Sequence, residues 1–291
     1  MSPGERLDLD GRVAVVTGGS RGLGLELARL LGRAGASVVI GSRSAESVAA
    51  AVAELRAEGL EVSGQACDVT DRAQVVALRD ATLAVAGRLD VWVNNAGVAG
   101  AYGPVHRIEE SAFLATTDTI IRGTYFGSLV ALDAMLPARS GHLVNLLGRG
   151  DRRPVPHQAA YASAKTWVRS FTLALAKENA GSGVRVHAFN PGLVRTEMLS
   201  RLEAVRGFSE PLAKLPTVVA VLGRSAEDAA LPLLDLLSGD RVEYAGVSRP
   251  RLLAQAARTG VRRLRGVALD RPQQTVTEVP DRPSTLGAPR R

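Results

Sequence analysis

The chain has 291 residues, of which 46% are hydrophobic and 22% charged, so it can bury the core of one large domain. Its single cysteine, Cys67, excludes a framework of internal disulfides. The sequence has no run of about 18 apolar residues that would predict a membrane span. Residues 1–11 lack the apolar stretch of a secretory signal. We therefore expect a cytoplasmic protein with no membrane partner.

The net charge of +7 is concentrated at the carboxyl end of the chain. Residues 249–291 contain ten arginines and three acidic residues, whereas basic and acidic residues balance in residues 1–248. A neutral body has no net field to attract a polyanion, so no nucleic-acid partner is expected. We predict one domain over residues 1–248 and a basic C-terminal extension over 249–291. The extension is expected to be disordered from about Asp270, because proline is frequent there and large apolar residues are few.

Short β-like runs alternate with longer helical patterns along the predicted domain. Strands are predicted over residues 13–17, 37–40, 61–66, 89–94, 142–147 and 184–190, and helices near 23–33, 45–58, 72–86, 109–136 and 160–180. This alternation is typical of βαβ units and predicts a parallel sheet covered by helices on both faces. A further helix over 225–237 and a weak seventh strand over 242–247 are expected. Residues 199–222 show no strand period, and we interpret them as a mobile lid.

A glycine-rich stretch, Thr17-Gly18-Gly19-Ser20-Arg21-Gly22-Leu23-Gly24, lies between the first predicted strand and the first predicted helix. Its glycines permit a tight turn and a close approach of the backbone to a pyrophosphate at the helix N-terminus. In a chain with 30 glycines, such a stretch could be an ordinary turn. Its position directly after a strand and before an amphipathic helix favours a dinucleotide site.

The end of the second predicted strand bears on the choice of cofactor. A carboxylate about 20 residues after the glycines would bind a ribose 2′-hydroxyl and repel a 2′-phosphate. Here the strand ends in Gly41-Ser42-Arg43, and the next acidic residue is Glu46. Arg43, together with Arg21, supplies positive charge that suits a 2′-phosphate. NADP(H) is therefore favoured over NAD, the alternative being two ordinary surface arginines.

Three further motifs follow the glycine-rich stretch along the chain: Asn94-Asn95-Ala96-Gly97, Tyr161-Ala162-Ser163-Ala164-Lys165 and Asn190-Pro191-Gly192-Leu193-Val194-Arg195-Thr196. In this order, over about residues 8–248, the four motifs resemble the short-chain dehydrogenase/reductase family. The resemblance implies a single-domain α/β fold with a Rossmann-type doubly wound parallel sheet. It also implies a small-molecule substrate and a homodimer or homotetramer assembled through two long helices.

The resemblance further implies which residues contact the cofactor. It places Asp68 near the adenine, Asn94 to Gly97 along the cofactor, and Thr196 at the nicotinamide carboxamide. The cofactor-binding residues expected from the matched motifs and from the second strand are Thr17, Gly18, Ser20, Arg21, Gly22, Leu23, Gly24, Ser42, Arg43, Asp68, Val69, Asn94, Ala96, Gly97, Tyr161, Lys165, Pro191, Gly192, Val194 and Thr196. No metal site is expected.

Tyr161 and Lys165 are the expected catalytic residues. They are four positions apart on a predicted helix and so share one face. A free tyrosine has a pKa of about 10 and is a poor base at neutral pH. A nearby ammonium and the positive ring of the cofactor would favour the phenolate. Tyr161 could then pass a proton to or from a substrate oxygen while hydride moves at the nicotinamide.

Two positions depart from the family pattern. The family usually has a serine at the end of the fifth strand and an asparagine in the helix before that strand. Gly148 and Ile120 occupy these positions here. Asn145 is close in sequence to Gly148, but a residue three positions back on the strand should point elsewhere. Removing one hydroxyl donor of this kind can cost on the order of a hundredfold in rate.

Three explanations of this departure stay open. Arg149, Asp151 or His157 replaces the lost hydroxyl, His157 being the best placed of the four histidines. Alternatively, the substrate is activated, as a quinone-like or conjugated carbonyl is. In the third explanation the fold has taken up non-redox work, as a dehydratase, cyclase, isomerase or nucleotide-binding scaffold. The leading expectation is an enzyme that reduces a carbonyl, or oxidises an alcohol, of a small or medium apolar substrate.

Overall fold

The computed structural model describes residues 7–246 and 273–282, which form two parallel sheets. Their strands are β1 (Val13–Thr17), β2 (Ser37–Ser42), β3 (Val62–Ala66), β4 (Val91–Asn94), β5 (Ala101–Tyr102), β6 (Gly141–Leu146), β7 (Val184–Asn190), β8 (Arg201–Val205), β9 (Glu243–Ala245) and β10 (Thr275–Val279). The central sheet has the order β3-β2-β1-β4-β6-β7-β9, and every neighbouring pair in it is parallel. The prediction of a single-domain, doubly wound α/β fold is confirmed, including the weak seventh strand.

Helices cover both faces of the central sheet. They are α1 (Gly22–Arg33), α2 (Ala45–Ala57), α3 (Arg72–Ala86), α4 (Glu110–Ala138), α5 (Ala159–Glu178), α6 (Glu197–Ser200), α7 (Ser209–Leu212), α8 (Leu215–Leu222), α9 (Ala226–Ala230) and α10 (Pro232–Ser238). The first five agree with the sequence patterns to within a few residues. The single helix predicted over 225–237 is divided in two at Pro232, which has no backbone N–H to donate. Within residues 7–246 and 273–282, no helix is both long enough and apolar enough to cross a lipid bilayer.

The strands are apolar on both sides because both faces of the sheet are buried. In β1 all five residues are buried, and successive side chains enter opposite faces. Val16 belongs to the core cluster with Leu27 of α1, whereas Val15 belongs to the cluster with Leu78 of α3. These two cores hold the strands rigidly, and the loops at the strands' carboxyl ends share that rigid support.

The second sheet corrects two expectations. Its strand order is β10-β8-β5, with parallel pairing throughout. Strand β8, Arg201–Val205, lies inside the segment 199–222, so the expectation that this segment lacks a strand is wrong. Strand β10, Thr275–Val279, lies beyond Asp270, so the expectation of disorder is wrong for these five residues. Both strands are short, and their formation depends on their partners more than on their own composition.

Polar contacts fasten the segment 273–282 to the body. Arg107 forms an ion pair with Asp281 at 2.8 Å, and the backbone N–H of Arg282 donates to the Arg107 carbonyl at 2.9 Å. The Glu278 carboxylate accepts a hydrogen bond from the N–H of Gly207 at 3.0 Å. This part of the predicted extension therefore belongs to the folded unit. Residues 249–272 and 283–291 of the extension lie outside the described residues.

A histidine pair bridges β6 and β7 inside the sheet. His187 Nδ1 lies 3.0 Å from the Arg241 carbonyl oxygen, which can only accept, so Nδ1 carries the proton. Its Nε2 is then the acceptor for His142 Nδ1, which is 3.1 Å away. Burial lowers the pKa of each imidazole to about 4, and both rings are neutral at pH 7.

This pair predicts a loss of stability in mild acid. The unfolded chain takes up protons near the ordinary histidine pKa of about 6.5, whereas the folded chain does so only near 4. The free energy of unfolding should therefore fall as the pH drops through this window, by on the order of 2 kcal/mol per histidine at about pH 5. Denaturant titrations at about pH 7.5 and about pH 5 measure the difference.

Two variants separate this effect from that of other titrating groups. His142→Gln should show a shallower pH dependence than the wild type, because one buried imidazole is gone. His106→Gln, which changes an exposed histidine, should keep the wild-type slope. The interpretation fails if His142→Gln and the wild type lose equal stability in acid.

Candidate active site

One cavity of about 620 Å³ opens at the carboxyl ends of the central strands. Open parallel sheets bind ligands at this edge, beside the point where the strand order reverses. The cavity brings together all but two of the residues expected to bind a cofactor. Those that line it are Gly18, Ser20, Arg21, Gly22, Leu23, Gly24, Ser42, Arg43, Asp68, Val69, Ala96, Gly97, Tyr161, Lys165, Pro191, Gly192, Val194 and Thr196.

The two exceptions, Thr17 and Asn94, do not line the cavity and hold its loops from behind. Thr17 Oγ1 accepts hydrogen bonds from the N–H groups of Asn95 at 3.1 Å and Ala96 at 3.2 Å. The Asn94 side chain accepts from Trp92 Nε1 at 2.7 Å and is buried in the core. Hydrogen bonds with the protein itself thus engage both side chains, and their expected contacts with the cofactor stay a prediction.

The glycine-rich turn fits a pyrophosphate. A Cβ atom on Gly24 would lie 2.1 Å from the Gly18 carbonyl oxygen, so only glycine lets α1 begin this close to the turn. No side chain caps the start of this helix, whose N-cap residue is Arg21. The first-turn N–H groups of α1 have no partner within the helix, and Gly22, Leu23 and Gly24 line the cavity. A helix N-terminus of this kind accommodates an anionic phosphate.

The two arginines expected at a 2′-phosphate differ in their surroundings. Arg21 Nη1 forms an ion pair with Glu197 at 2.9 Å, so part of its charge is neutralised. Arg43 lines the cavity and has no ion pair with any residue in 7–246 or 273–282. It follows Ser42, whose hydroxyl accepts a hydrogen bond from Ser20 Oγ at 3.0 Å. Arg43 is thus the cation available to a ligand at this end of the cavity.

Helix α5 presents Tyr161 and Lys165 to the cavity from one face, as predicted. Lys165 is only 5% exposed, and its Nζ donates to the Leu146 carbonyl at 2.7 Å. The same Nζ lies 5.7 Å from the centroid of the Tyr161 ring. Burial lowers the pKa of Lys165 to about 8, because the charged form is poorly solvated there.

The surroundings of the Tyr161 hydroxyl bear on its protonation state. Burial, with smaller effects of Tyr102 and Asp151, raises the pKa of the Tyr161 hydroxyl above its ordinary value. In the protein without cofactor, burial therefore favours the neutral phenol over the phenolate. Tyr161 carries its proton at neutral pH, which is the state that a proton donor requires.

Gly148 lies directly against the reactive end of Tyr161. A Cβ atom built on Gly148 would be 2.3 Å from the Tyr161 hydroxyl oxygen. The hydroxyl thus occupies space that a side chain at position 148 would need. Ile120, at the second altered position, is fully buried with Leu147 and Val168 in an apolar cluster.

The neighbours considered as replacements for the serine hydroxyl are placed differently. Arg149 lines the cavity, whereas Asp151 and His157 do not. The His157 ring is exposed and packs on Phe208, with 4.7 Å between ring centroids. Asn145 is held in the core, where its Nδ2 donates to Thr172 Oγ1 at 3.0 Å, and it points away as predicted. Only Arg149 of these candidates faces the site.

Two residues that the sequence did not single out also line the cavity. The Tyr102 hydroxyl accepts a hydrogen bond from Gln158 Nε2 at 2.8 Å. The sequence contained a signal for Gln158, since it lies three positions before Tyr161, directly at the start of α5. No local signal existed for Tyr102, because β5 forms only by pairing with β8, which is distant in sequence.

The chain is similar to known proteins in both sequence and structure. One similar protein, from Streptomyces coelicolor, has a ketoacyl reductase assignment and is 37% identical to this chain over 191 residues. The match covers 65% of this chain and 73% of that protein. Among solved structures, a variant of actinorhodin polyketide ketoreductase with NADPH superimposes with a TM-score of 0.72 at 29% identity, covering 81% of this chain and 96% of the other.

A second solved structure, a short-chain dehydrogenase/reductase from Burkholderia phymatum in complex with NAD, has a TM-score of 0.77 at 26% identity. It covers 91% of this chain and 98% of the other. Residues 12–207 of this chain match the family described as short chain dehydrogenase. With the doubly wound sheet and the Tyr161–Lys165 pair at its carboxyl edge, these matches show that the chain belongs to the short-chain dehydrogenase/reductase family of oxidoreductases.

Proposed function

We propose that this protein is an NADPH-dependent reductase of carbonyl compounds in which Tyr161 donates the proton. The observation that carries the proposal is that Tyr161 and Lys165 face the same cavity into which the glycine-rich turn opens. A dinucleotide held at that turn would extend along the cavity towards the tyrosine, past Pro191, Gly192 and Thr196.

Arg43 is the reason to prefer NADPH over NADH. The related structures include one with NADPH and one with NAD, so the fold alone is compatible with either dinucleotide. Arg43 has no ion-pair partner among the residues described, and the strand end, Gly41-Ser42-Arg43, carries no carboxylate. A guanidinium here can pair with a 2′-phosphate through two parallel hydrogen bonds.

NADPH, when bound, supplies the hydride that converts a carbonyl carbon into that of an alcohol. The Tyr161 hydroxyl donates its proton to the carbonyl oxygen, and the buried Lys165 ammonium stabilises the phenolate that remains. The raised pKa of Tyr161 keeps the hydroxyl protonated, which is the state that donation to a carbonyl oxygen requires. Exclusion of water from this buried pair strengthens both interactions.

The cavity suits a small or medium apolar carbonyl compound. Leu147, Leu199, Leu215 and Met198 supply apolar surface beyond the catalytic pair. Gly148 offers no hydroxyl to the substrate oxygen, so a carbonyl that is already activated would react most readily. Quinone-like and conjugated carbonyl compounds are the substrates we propose to assay first.

Replacing Arg43 tests the choice of cofactor. Arg43→Asp should weaken NADPH binding by roughly tenfold or more, because a carboxylate would face the 2′-phosphate. NADH binding should change little, so the preference between the two should narrow or reverse. Titration calorimetry with both dinucleotides measures the affinities. The matched control is Arg153→Asp, which changes an exposed arginine outside the cavity and should leave both affinities as they are. Equal affinities of the wild type for NADPH and NADH would contradict the proposal.

Removing the Tyr161 hydroxyl tests the proton donor. Tyr161→Phe should slow single-turnover NADPH oxidation by about a hundredfold or more, with NADPH affinity nearly unchanged, since the phenol acts on substrate. Tyr125→Phe, which alters a half-exposed tyrosine on α4, is the control and should turn over normally. If Tyr161→Phe turns over as fast as the wild type, the reductase mechanism is wrong and a non-redox reaction takes its place.

Substitutions that add a side chain at Gly148 test whether the site is a weakened version of the family's active site or a reshaped one. A Cβ atom there would displace the Tyr161 hydroxyl, and a misplacement of about 1 Å can cost about a hundredfold in rate. Gly148→Ser and Gly148→Ala should therefore both lower single-turnover rates. Similar losses in the two variants would show that bulk, not the hydroxyl, is responsible. A higher rate in Gly148→Ser than in the wild type would show instead that the serine restores a missing donor.

A further inference from the structure

Tyr102 and Gln158 are polar residues buried beside the catalytic tyrosine. Their exposed fractions are 6% and 5%, and both line the cavity. The Tyr102 hydroxyl oxygen accepts a hydrogen bond from Gln158 Nε2 at 2.8 Å. This is a buried hydrogen bond between the side chains of two residues that line the cavity.

The hydrogen bonds of this pair are incomplete. A tyrosine hydroxyl carries one proton and can also accept, and here the accepting side is used by Gln158. Within residues 7–246 and 273–282, no acceptor is present for the Tyr102 proton, and Gln158 Oε1 has no partner. Buried polar groups are rarely left in this state, because an unmade hydrogen bond is costly away from water. A polar group of a ligand in the cavity would satisfy the hydroxyl proton.

Both residues are held in place by backbone contacts. Gln158 is the residue directly before α5, and its carbonyl accepts from the N–H of Ala162 at 2.9 Å. It therefore lies within one turn of Tyr161. Tyr102 pairs with Ala204 in the small sheet, and the N–H of Gly103 donates to the His157 carbonyl at 3.0 Å. The two tyrosine hydroxyls thus face one cavity from elements that are tied together.

We propose that Tyr102 is a second catalytic residue, whose hydroxyl donates a hydrogen bond to the substrate carbonyl oxygen where Gly148 has no side chain to do so. Gln158 is its positioning residue, since it occupies the accepting side of the Tyr102 hydroxyl and leaves the proton for the substrate. This inference rests on the proposed carbonyl reduction. Tyr161 transfers its proton, whereas Tyr102 keeps its own and stabilises the charge that develops on the oxygen.

The charge distribution around Tyr102 is consistent with this role. Burial raises the pKa of the Tyr102 hydroxyl, so the proton is present at neutral pH. The Arg149 guanidinium opposes that effect, because its positive charge favours the ionised form. A protonated phenol in a positive field is a strong hydrogen-bond donor to a developing oxyanion.

An oxyanion probe tests the donor without requiring turnover. The absorbance of 4-nitrophenol reports its ionised form, and the probe is titrated into the protein with and without NADP⁺. The wild type should bind 4-nitrophenolate, and Tyr102→Phe should weaken that binding by roughly tenfold to a hundredfold, as expected for one hydrogen bond to a charged group. Tyr125→Phe, the matched control, should bind the probe like the wild type.

The remaining measurements separate this proposal from the proposed function. Tyr102→Phe should lower kcat for carbonyl reduction by a similar factor while the NADPH Kd stays the same, and Gln158→Leu should give a smaller loss with Tyr102 intact. Gln158→Leu also serves as the test if Tyr102→Phe does not fold. Probe binding that is equal in Tyr102→Phe and wild type, or absent in the wild type, would overturn the assignment of Tyr102. Probe binding without any NADPH oxidation would instead overturn the reductase proposal and retain the oxyanion site.

Discussion

The parallel pairing of β1 with β2 on one side and with β4 on the other is the constraint on which the rest of the molecule depends. All five residues of β1 are buried, so both faces of the sheet must be covered by helices. Helices on both faces leave only the ends of the strands open to a ligand. At the carboxyl end, the chain leaving β1 makes the tight turn of Gly18 and enters α1 without a side-chain cap. The dinucleotide site is therefore a consequence of the way the sheet is built.

The end of the cavity beside α5 is shaped by the close approach of the Tyr161 hydroxyl to Gly148. Position 148 must be a glycine in this arrangement, because the Tyr161 hydroxyl leaves no room there for a side chain. The same burial that brings the hydroxyl there keeps it protonated. A tyrosine that is held protonated beside a buried ammonium is suited to giving a proton away. The glycine predicted to depart from the family pattern thus has a physical counterpart in the packing around the Tyr161 hydroxyl.

The small sheet connects residues 275–279 to the wall of the cavity. Strand β10 pairs with β8, and β8 pairs with β5, which carries Tyr102 into the cavity wall. The ion pair between Arg107 and Asp281 holds β10 against the body. Residues near position 280 therefore help to position a side chain near position 100, although they contact neither the cofactor site nor Tyr161. Short parallel strands of this kind depend on each other, so a change in one should be felt in the others.

Local patterns in the sequence determined much of this protein. The period of apolar residues predicted the central strands and the five long helices, because each pattern reports which faces of a short segment are buried. The glycine-rich stretch and the four-residue spacing of Tyr161 and Lys165 predicted which residues line the cavity, since both are local patterns that span only a few residues. Tertiary structure alone decided the features that join distant segments. The pairing of β5, β8 and β10, the contact of Arg21 with Glu197, and the hydrogen bond from Gln158 to Tyr102 are of this kind. The protonation of Tyr161 belongs with them, because burial by the whole fold, not a neighbour in sequence, sets the pKa of that hydroxyl.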